Sequence, residues 1–505
     1  MELLIMARLS NKHGEAAQRI FYPAFDGGLN LAVPSESMAK NELKEALNVE
    51  FSHATGAMTV RGGLVWSGRF ATRIESVVPV QGRRGFLVKP VGTRDLYYFR
   101  WNNIWPVQGL LTGGGKLSIA AWDNDFLVAS GGKLQRFSDS GALPSIETLE
   151  NSPKNCRQVF ILNGRVGVVS GDDTLTFSWV GDCTKWDNDP DDESTGQFVE
   201  IGYKDGMNIK AVVPLSKDLI VFKSPENEPD KGIIWRLTGE FPEWAVLAVA
   251  HNTGTFNTLS TQSIGNDVFY ITVSGVASLS SVTEYGEIKT AWPDRKVSTA
   301  LTPLIDNTAQ LWDIPVKQQL WVIPTSSSKE IWVLDYTRGI WTKFLFPEVL
   351  VYAVGIDNTL FAFIGKDLYE IKDGYIQDEI KDYMSGKMSK KNISAKMVLG
   401  TLLSGHQTLI KGAYASFSIM PSCSAELVLG KFRMPFSSGK TEDYIYDPPN
   451  DTQYASEDDD PLFSEGGAMT ARRRCIVRDW AITPEIVING GGCSVSTLGL
   501  EIVEV

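Results

Sequence analysis

Residues 163–179 read NGRVGVVSGDDTLTFSW, which is a turn pair, a hydrophobic strand, a second polar turn and another strand. Apolar runs between Gly, Asn and Asp turns are typical of antiparallel hairpins. The same order returns six more times along the chain, at a spacing of roughly 40–55 residues. The other hairpins begin at Arg83, Asp123, Lys217, Gly265, Lys317 and Asp357. A repeat of this length predicts an array of similar supersecondary units.

This period matches one four-stranded blade of a β-propeller, which needs about 40–50 residues. Each repeat supplies the central hairpin of a blade, and flanking segments supply further strands, for example residues 74–80, 119–121, 158–162, 209–214, 259–263 and 349–355. The aromatic residues expected to pack between blades are Trp122, Trp179, Trp235, Phe269, Trp332 and Trp341. The sequence therefore predicts an all-β fold, a propeller of about six to seven blades. A large β-sandwich or two smaller barrels is the alternative.

The repeat stops near residue 375, and the chain after it predicts a second all-β domain. A Lys-rich stretch, KDYMSGKMSKKNISAK at residues 381–396, comes first. Further strand-like runs then begin at Met397, Tyr414, Ala425 and Cys475. Because these runs are rich in aliphatic residues and separated by turn residues, we expect strands rather than helices.

The N-terminal region contains the best helical pattern of the chain, over residues 36–48. Met38, Leu43, Ala46 and Leu47 stand at roughly helical spacing, and Ser35 is placed to cap the first turn. We predict three domains. Residues 1–65 form an arm whose short helix closes onto the propeller, 66–380 form the propeller platform, and 381–505 form a distal all-β domain with a long acidic loop over 441–467.

The composition excludes several classes of protein. Hydrophobic residues make up 43% and charged residues 21% of 505 residues, which is ordinary for a folded chain and argues against large-scale disorder. The net charge of -12 gives no sign of the basic surface that binding to nucleic acid requires. The apolar run at the N-terminus is too short for a signal peptide, and no run reaches the length of a membrane span. The five scattered cysteines indicate no disulfide framework, so we expect folding in a cytoplasm.

The sequence predicts no catalytic residue, no cofactor site and no metal site. The four histidines occur outside any HExxH or HxH arrangement, and no phosphate-binding loop or GxSxG nucleophile motif is present. We therefore predict that the protein is not an enzyme. A propeller glycoside hydrolase remains the less favoured alternative, since paired carboxylates could converge from blade turns. The recurring turn aspartates, which are more simply turn residues, are Asp172, Asp218, Asp267 and Asp357.

The segment 441–467 is the first candidate functional surface. It is acidic and Pro-rich, and a loop of this length in a compact domain is usually functional or disordered. Its densest acidic run is Glu457, Asp458, Asp459 and Asp460. These four residues are the predicted acidic element.

The second candidate surface is the densest basic group of the chain. It consists of Arg472, Arg473 and Arg474. Strand alternation would send Arg472 and Arg474 to one face and Arg473 to the other. Two interpretations stay open, which are contact with DNA phosphates and a salt bridge onto an acidic neighbouring subunit.

Two groups of short segments resemble a known family. The first group is FDGGLN at residues 25–30, then Pro34, Asn41-Glu42, Asn48-Val49, Gly56 and Arg61-Gly62-Gly63. The second group is VGDCTKW at 180–186, FVEIGYKDG at 198–206, IVFK at 220–223 and IWRLTG at 234–239. Together they resemble the tail-nozzle proteins of short-tailed bacteriophages, also called tail-hub or packaged-DNA stabilisation proteins. The resemblance spans roughly residues 20–380.

The resemblance implies a structural virion protein of the tail, assembled in the host cytoplasm. It implies a homo-hexameric ring below the portal and the tail adaptor (the head–tail connector), with the distal domain as the nozzle. Such a ring retains packaged double-stranded DNA, later conducts it during ejection, and carries tail fibres or spikes. In that arrangement residues 457–460 would form an acidic tip or lumen element. A monomeric propeller that binds a protein or a glycan is the alternative.

Overall fold

The computed structural model describes residues 9–10, 16–80, 82–100, 103–189, 191–241, 243–282, 287–382, 386–419, 423–437 and 469–504. The chain divides into two compact units. Unit 1 contains residues 1–65, 332–347 and 371–505, and unit 2 contains residues 66–331 and 348–370. Unit 1 is therefore discontinuous, because it combines both ends of the chain with a short central segment. The three predicted domain boundaries stay a prediction.

The chain begins with short strands and then enters the repeats. The first strands are β1 (Leu9–Ser10), β2 (Ala16–Tyr22), β3 (Gly28–Leu29), β4 (Glu42–Leu47), β5 (Val49–Phe51), β6 (Met58–Val60) and β7 (Gly63–Arg69). The first two repeats are β8 (Ile74–Val80), β9 (Gly85–Pro90), β10 (Tyr97–Arg100), β11 (Asn103–Pro106), β12 (Ser118–Trp122), β13 (Asp125–Ala129), β14 (Gln135–Ser138) and β15 (Ser145–Thr148).

The remaining repeats follow in order. The third to fifth are β16 (Val159–Leu162), β17 (Arg165–Val169), β18 (Thr174–Phe177), β19 (Gln197–Glu200), β20 (Asn208–Leu215), β21 (Asp218–Ser224), β22 (Ile233–Thr238), β23 (Ala245–His251), β24 (Thr261–Ile264), β25 (Asp267–Thr272), β26 (Gly275–Val282) and β27 (Glu287–Ala291). The last two are β28 (Gln310–Ile314), β29 (Gln319–Ile323), β30 (Glu330–Asp335), β31 (Ile340–Leu345), β32 (Tyr352–Ile356), β33 (Thr359–Ile364) and β34 (Asp367–Lys372).

Helical structure is sparse in the described part of the chain. It consists of one short α-helix, α1 (Ser298–Leu301), and the 3₁₀ turns Ser35–Ser37, Pro229–Lys231, Thr258–Ser260, Thr302–Leu304 and Pro315–Lys317. Within those residues no helix combines the length and the apolar character that a transmembrane span requires.

Unit 2 contains the ring of a seven-bladed β-propeller. Strands β8 to β27 form five successive four-stranded antiparallel sheets, β28 and β29 begin a sixth, and β32, β33 and β34 join β7 in a seventh. The first strand of each sheet contacts the first strand of the next, through β8, β12, β16, β20, β24, β28 and β32, and β32 returns to contact β8. Seven first strands therefore close a circle, which confirms the predicted propeller fold.

Hydrophobic side chains fill the spaces between neighbouring blades. One cluster joins the first and second blades, with Val78 and Leu87 against Phe126 and Val128. Similar clusters join the second to the third, the third to the fourth and the fourth to the fifth blade. The seventh and first blades meet through aromatic rings, such as the Phe361 ring 5.2 Å from the Phe99 ring. Each of the first four sheets thus buries both faces against its neighbours, as the repeat predicts.

Unit 1 is built from two larger sheets and a hairpin. Its C-terminal strands are β35 (Gln377–Lys381), β36 (Met388–Asn392), β37 (Ser394–Leu399), β38 (Leu402–Ile419), β39 (Ser424–Leu429), β40 (Phe432–Ser437), β41 (Met469–Ile482), β42 (Pro484–Asn489) and β43 (Cys493–Glu504). One sheet has the order β1-β2-β43-β38-β41, with the β5–β6 hairpin beside β43. The other contains β31-β4-β37-β42-β39-β40, with β3 beside β4. The hairpin is β35–β36, and the second all-β domain is present as predicted.

The predicted helix over residues 36–48 is wrong. Residues 42–47 form strand β4, which pairs with β37, and the preceding turn is a short 3₁₀ turn at Ser35–Ser37. The register between β4 and β37 shifts, so that Glu45 lies opposite Val398 but Leu43 lies opposite Leu399. This bulge at Lys44 adds one residue to the alternation of side chains between the two faces of the sheet. Leu43 and Ala46 are both buried at a spacing of three residues, which imitates a helical period.

Candidate functional site

Two of the family-like segments of the N-terminal region, at Asn48 and at Arg61-Gly62-Gly63, meet at one buried arginine in unit 1. The Arg61 side chain is 2% exposed and forms a two-pronged ion pair with Asp378, with distances of 3.0 and 2.7 Å from Nη1 and Nη2 to the carboxylate oxygens. Its Nε donates to Asn48 Oδ1 at 3.0 Å, and the remaining donors reach the carbonyl oxygens of Gly62 and Leu345. We call this cluster the Arg61 clasp.

Every N–H group of the Arg61 guanidinium has a hydrogen-bond acceptor within the clasp. The planar guanidinium matches a carboxylate with two parallel hydrogen bonds, which a lysine ammonium cannot do. The Phe346 ring lies 4.2 Å from the guanidinium carbon and covers its face. Asn48 has a φ of 55°, in the left-handed region that asparagine tolerates, and its Oδ1 also accepts from the Leu345 backbone at 2.7 Å. The clasp therefore fixes three distant chain segments to each other.

The two residues that follow Arg61 are glycines because the backbone of another segment lies very close to them. A Cβ atom on Gly63 would lie 2.3 Å from the Gln377 carbonyl oxygen, and one on Gly62 would lie 2.9 Å from the Lys372 carbonyl oxygen. The FDGGLN segment has the same character, since Gly28 has a φ of 62° and abuts the Trp341 backbone. These positions therefore require glycine for packing, and the motif residues serve to hold the fold of unit 1.

A second buried cation lies in the propeller, between the third and fourth blades. Lys223 is fully buried, and its Nζ donates to Asp173 Oδ1 and Asp205 Oδ1, each at 2.8 Å, and to the carbonyl oxygens of Ile201 and Gly202. Burial raises the pKa of the Asp173 carboxyl, but the hydrogen bond from Lys223, the Lys204 backbone N–H and the Lys223 charge outweigh it and lower the pKa. The Lys223 centre is a structural tie between blades.

A cavity of about 200 Å³ opens where the first strands of the propeller begin. It is lined by Glu75, Ser76, Val77, Lys116, Leu259, Gln310, Trp312, Ile323, Ser326, Val349, Leu350, Val351 and Tyr352. These residues come from five of the seven repeats. All first strands run in the same direction around a propeller, so their starts gather on one face of the ring. We call this cavity the strand-entry pocket.

The walls of the strand-entry pocket are apolar and its polar groups are few. The Trp312 and Tyr352 rings lie 5.3 Å apart, and Trp312, Ile323 and Leu350 are buried. Glu75 is engaged by the buried Lys89, which also donates to the Gly114 carbonyl oxygen at 2.9 Å. Lys116 is an exposed residue without a direct hydrogen bond or ion pair to another described residue. Desolvation lowers the pKa of its ammonium, and the Glu75 charge opposes that shift.

One half-buried carboxyl, Asp313, affects Tyr352 of this pocket and has one oxygen atom without a hydrogen bond among the described residues. Oδ1 of Asp313 on β28 is inaccessible to solvent and accepts no hydrogen bond among the described residues. Desolvation by burial raises the pKa of Asp313 to about 6. Burial and the Asp313 charge together raise the pKa of Tyr352 to about 12. Among the described residues, Asp313 thus has no cation such as the one that Asp173 and Asp205 share.

The structure adds little information on the two surfaces that were predicted from the sequence. Glu457, Asp458, Asp459 and Asp460 lie outside the described residues, as does the whole loop 441–467. Arg472, Arg473 and Arg474 lie in strand β41, opposite Tyr414, Ala413 and Gly412 of β38. The predicted roles of both groups stay predictions.

The turn aspartates do not gather in one place. Asp218, Asp267 and Asp357 stand at turns between the first and second strands of their blades, whereas Asp172 stands at a turn between a second and a third strand. Those two kinds of turn lie on opposite faces of a propeller. Asp218 pairs with Arg236 at 2.7 Å, and Asp357 pairs with Arg84 at 3.0 Å. Within the described ranges, no group of three His, Cys, Asp or Glu side chains is arranged to hold a metal ion.

The sequence analysis singled out segments that contain Arg61 and Lys223, but it did not identify the buried partners of these two residues or the strand-entry pocket. Arg61 and Asp378 are 317 positions apart, and nothing in their local sequence links them. Lys223 offers a weak signal, because a lysine inside the hydrophobic run DLIVFKS must find a buried partner. The strand-entry pocket draws on five repeats, so that no single segment encodes it.

Several predicted aromatic positions can also be located. Trp122 and Trp235 pack against clusters between blades. Trp332 and Trp341 are buried and belong to unit 1. Trp179 instead contacts its own turn, with the Lys185 ammonium 4.7 Å from its ring.

Comparisons with known proteins bear on the fold. No protein-family model matches the chain, and no curated protein matches it significantly. Similar solved structures include the β-propeller domain of Cps50 (Swd1) from Myceliophteria thermophila, at 10% identity over 61% of this chain and 100% of that chain, with a TM-score of 0.42.

Two further structures are BamB from Moraxella catarrhalis and YCF48 bound to D1 peptide. BamB is 11% identical over 64% of this chain and 92% of its own, with a TM-score of 0.35. YCF48 is 12% identical over 62% of this chain and 96% of its own, with a TM-score of 0.38. Likeness at this level carries no functional argument, and the seven-bladed fold rests on the closed circle of first strands in this chain.

Proposed function

We propose that this chain is a structural virion protein, the tail nozzle of a short-tailed bacteriophage. Six copies would form a ring below the portal and the adaptor, retain the packaged DNA and conduct it during ejection. Fibres or spikes would dock on the outside of the ring. The role is one of assembly, without turnover of a substrate.

The Arg61 clasp is the observation that carries this proposal. The first group of residues that resemble nozzle proteins is spread over positions 25–63. Within it, Asn48, Arg61, Gly62 and Gly63 meet at one buried centre, and Gly28 abuts the backbone of the same unit. Residues that jointly determine a fold are better indicators of common architecture than scattered surface matches. This convergence supports a resemblance in architecture as well as in sequence.

The long strands of unit 1 are a further supporting feature. β38 has 18 residues and β41 has 14, and β41 ends the sheet path with β38 as its pairing partner among the described strands. At about 3.3 Å per residue, β38 extends for roughly 60 Å. Long strands at a sheet edge are a means by which neighbouring copies associate.

The test is the assembly state of the purified full chain. We expect light scattering and negative-stain images to show a ring of about six copies, or a monomer that forms such a ring when adaptor protein is added. A monomer that ignores portal and adaptor proteins at micromolar concentration would overturn the nozzle proposal. That outcome would favour a monomeric propeller that binds a protein or a glycan.

A further inference from the structure

The hairpin β35–β36 of unit 1 has one strand that no described residue covers. The two strands pair with each other and with no other described strand. β35 is anchored, because its Asp378 belongs to the Arg61 clasp, whereas all five residues of β36 are exposed. A two-stranded hairpin is marginally stable in water unless one of its faces is covered. A surface that covers β36 from outside would therefore stabilise the hairpin.

This hairpin is basic in a protein that is acidic overall. Residues 379–391 contain four lysines against Glu379 and Asp382, which leaves a net charge of +2 in a chain of -12. Lys390 pairs with Glu379 but its side chain remains 54% exposed, and Lys391 is exposed without an ion pair to another described residue. We call β35–β36 and its turn the Lys-rich hairpin.

The lysines also indicate what kind of surface suits β36. Lysines on an edge strand disfavour pairing with an identical edge, because like charges would then meet. The Lys-rich hairpins of two copies therefore repel each other. A surface that covers β36 has to be a different one, and an acidic one.

The third blade of the propeller presents such a surface between β18 and β19. Residues 182–193 contain six acidic residues against one lysine, a net charge of -5. Five of these acids are exposed and form no ion pair with another described residue, namely Asp187, Asp189, Asp191, Asp192 and Glu193. The outermost strand of the blade, β19, follows directly and exposes 62% of Phe198. We call these five acids and Phe198 the third-blade acidic rim.

A buried arginine holds this rim in place from beneath. Arg165 is 4% exposed, and its guanidinium donates to the carbonyl oxygens of Ser178, Thr195 and Glu193. It thus binds the backbone of the segment and leaves the exposed carboxylates unpaired. Because the backbone is already fixed, a cationic partner would meet the rim at little cost in conformational entropy.

We propose that the Lys-rich hairpin of one copy docks on the third-blade acidic rim of the next copy, and this proposal rests on the proposed ring. The lysines at 387, 390 and 391 face the rim carboxylates, and Met388, which is 40% exposed, packs on Phe198. Each copy then contributes two different surfaces to its two neighbours. Such a head-to-tail contact closes a ring when the rotation between copies is suitable.

The experiment compares the assembly of charge-reversed full chains by light scattering, with adaptor protein added if the chain alone is monomeric. Lys387→Glu reverses a charge near the hairpin turn, and we expect the concentration for half-maximal assembly to rise at least about tenfold. Lys431→Glu is the matched control, because it makes the same change in the exposed turn between β39 and β40 of the same unit. It should assemble like the unaltered chain.

A reciprocal variant makes the test specific. Asp191→Lys reverses a charge of the rim and should weaken assembly to a similar extent, whereas Asp230→Lys, at an exposed turn of the fourth blade, should not. A 1:1 mixture of Lys387→Glu and Asp191→Lys chains should recover assembly. In an alternating ring the two reversed surfaces meet each other, and so do the two unaltered ones. Misfolded chains could not recover in this way.

Each outcome decides between the two proposals. If the unaltered chain forms rings and both reversed variants do so equally well, the docking proposal is overturned and the ring stands. If the unaltered chain does not assemble even with portal and adaptor, the ring is overturned and the docking proposal with it. If Lys387→Glu assembles normally but loses affinity for duplex DNA in a fluorescence anisotropy titration, the hairpin contacts phosphates instead of a second copy.

Discussion

The propeller ring and the two-sheet unit both consist of antiparallel strands, but they differ in where each strand finds its partner. In the ring, β8 to β27 pair with the next strand along the chain. In unit 1, β2 pairs with β43, so that Tyr22 lies opposite Leu498. A hairpin closes a loop of a few residues, whereas such a pairing must first order hundreds of residues. Apart from the seventh sheet, where β7 joins β34, the ring is therefore locally determined, whereas unit 1 depends on contacts that hold distant segments together.

The two buried cations reflect the same difference. Lys223 finds its carboxylates 50 and 18 positions away, in the neighbouring blade and the connection from it. Arg61 finds Asp378 across 317 positions. The Lys223 centre therefore strengthens a contact that the repeat already makes, whereas the Arg61 clasp creates one that no local pattern supplies. Removing each cation should then disturb different parts of the chain.

Replacing Arg61 should have the largest effect. Arg61→Met leaves Asp378 buried and unpaired, with Asn48 and the Leu345 carbonyl short of a donor. We expect unit 1 to lose about 3–5 kcal/mol of unfolding free energy. Hydrogen exchange should show lost protection in β4 and β37, with the propeller strands unchanged.

Two controls accompany the Arg61 substitution. Arg433→Met removes an exposed ion pair with Glu426 in the same unit and should cost much less. The double variant Arg61→Met with Asp378→Leu removes both charges and should recover part of the loss. Uniform loss of protection in both units would contradict a role confined to unit 1.

Replacing Lys223 tests the propeller side of the comparison. In Lys223→Met the carboxylates of Asp173 and Asp205 lose their cation, but their side chains are 19% and 20% exposed, so water compensates in part. We expect a loss of about 2–4 kcal/mol, measured by denaturant unfolding, with exchange increased at the third and fourth blades. Lys210→Met is the matched control in β20, because its partner Glu226 is exposed. A Lys223 variant as stable as the Lys210 variant would show that the buried centre contributes nothing.

The local encoding of the ring explains why its hairpins could be predicted from sequence. Asp123, Asn163 and Asp357 mark three of the seven repeats, and all three adopt the left-handed backbone that tight turns require. Each turn sits between two short hydrophobic strands, so one window of sequence contains the whole signal. The first strands of the blades follow from the same periodicity.

Unit 1 could not be predicted in the same way, because its determinants are not adjacent in sequence. The bulge at Lys44 places the buried residues of β4 at a spacing that is typical of a helix. Pairing with β37, some 350 residues later in the sequence, overrides that local preference. The motif at Arg61 could be singled out, but its role became apparent with Asp378 beside it. Similarly, no sequence pattern predicts that Lys116 and Trp312 line one pocket, because they are close only after the ring has formed.

Asp313 provides a test within the propeller of a half-buried carboxyl whose Oδ1 accepts no hydrogen bond from the described residues. Its pKa is raised from 3.8 to about 6, so the folded state holds the proton more tightly than the unfolded state does. The stability contributed by the protonated form is full below about pH 4 and is lost as the pH rises through 6. Asp313→Asn should therefore stabilise the protein by about 1–3 kcal/mol at pH 8 and have little effect at pH 3.5.

The pH series for Asp313 has its own control. Asp357→Asn, at an exposed turn, should leave the pH dependence of unfolding unchanged. Destabilisation by Asp313→Asn at pH 8 would mean that the ionised carboxylate has a partner. The Asp313 result thus distinguishes a desolvated charge that lacks an opposite charge from one that is paired, such as Lys223 with its two aspartates.

The smallest effect is expected at an ion pair that has the composition of the buried centres but not their burial. Lys133 pairs with Glu150 in the second blade, and the glutamate side chain is 75% exposed. Water already solvates both groups, so the pair gains little when it forms. Lys133→Met should change the unfolding free energy by less than about 0.5 kcal/mol, as measured by the same denaturant titration. A loss comparable to that of Lys223→Met would show that burial is not what distinguishes the centres, and the contrast between the two regions would then rest on strand pairing alone.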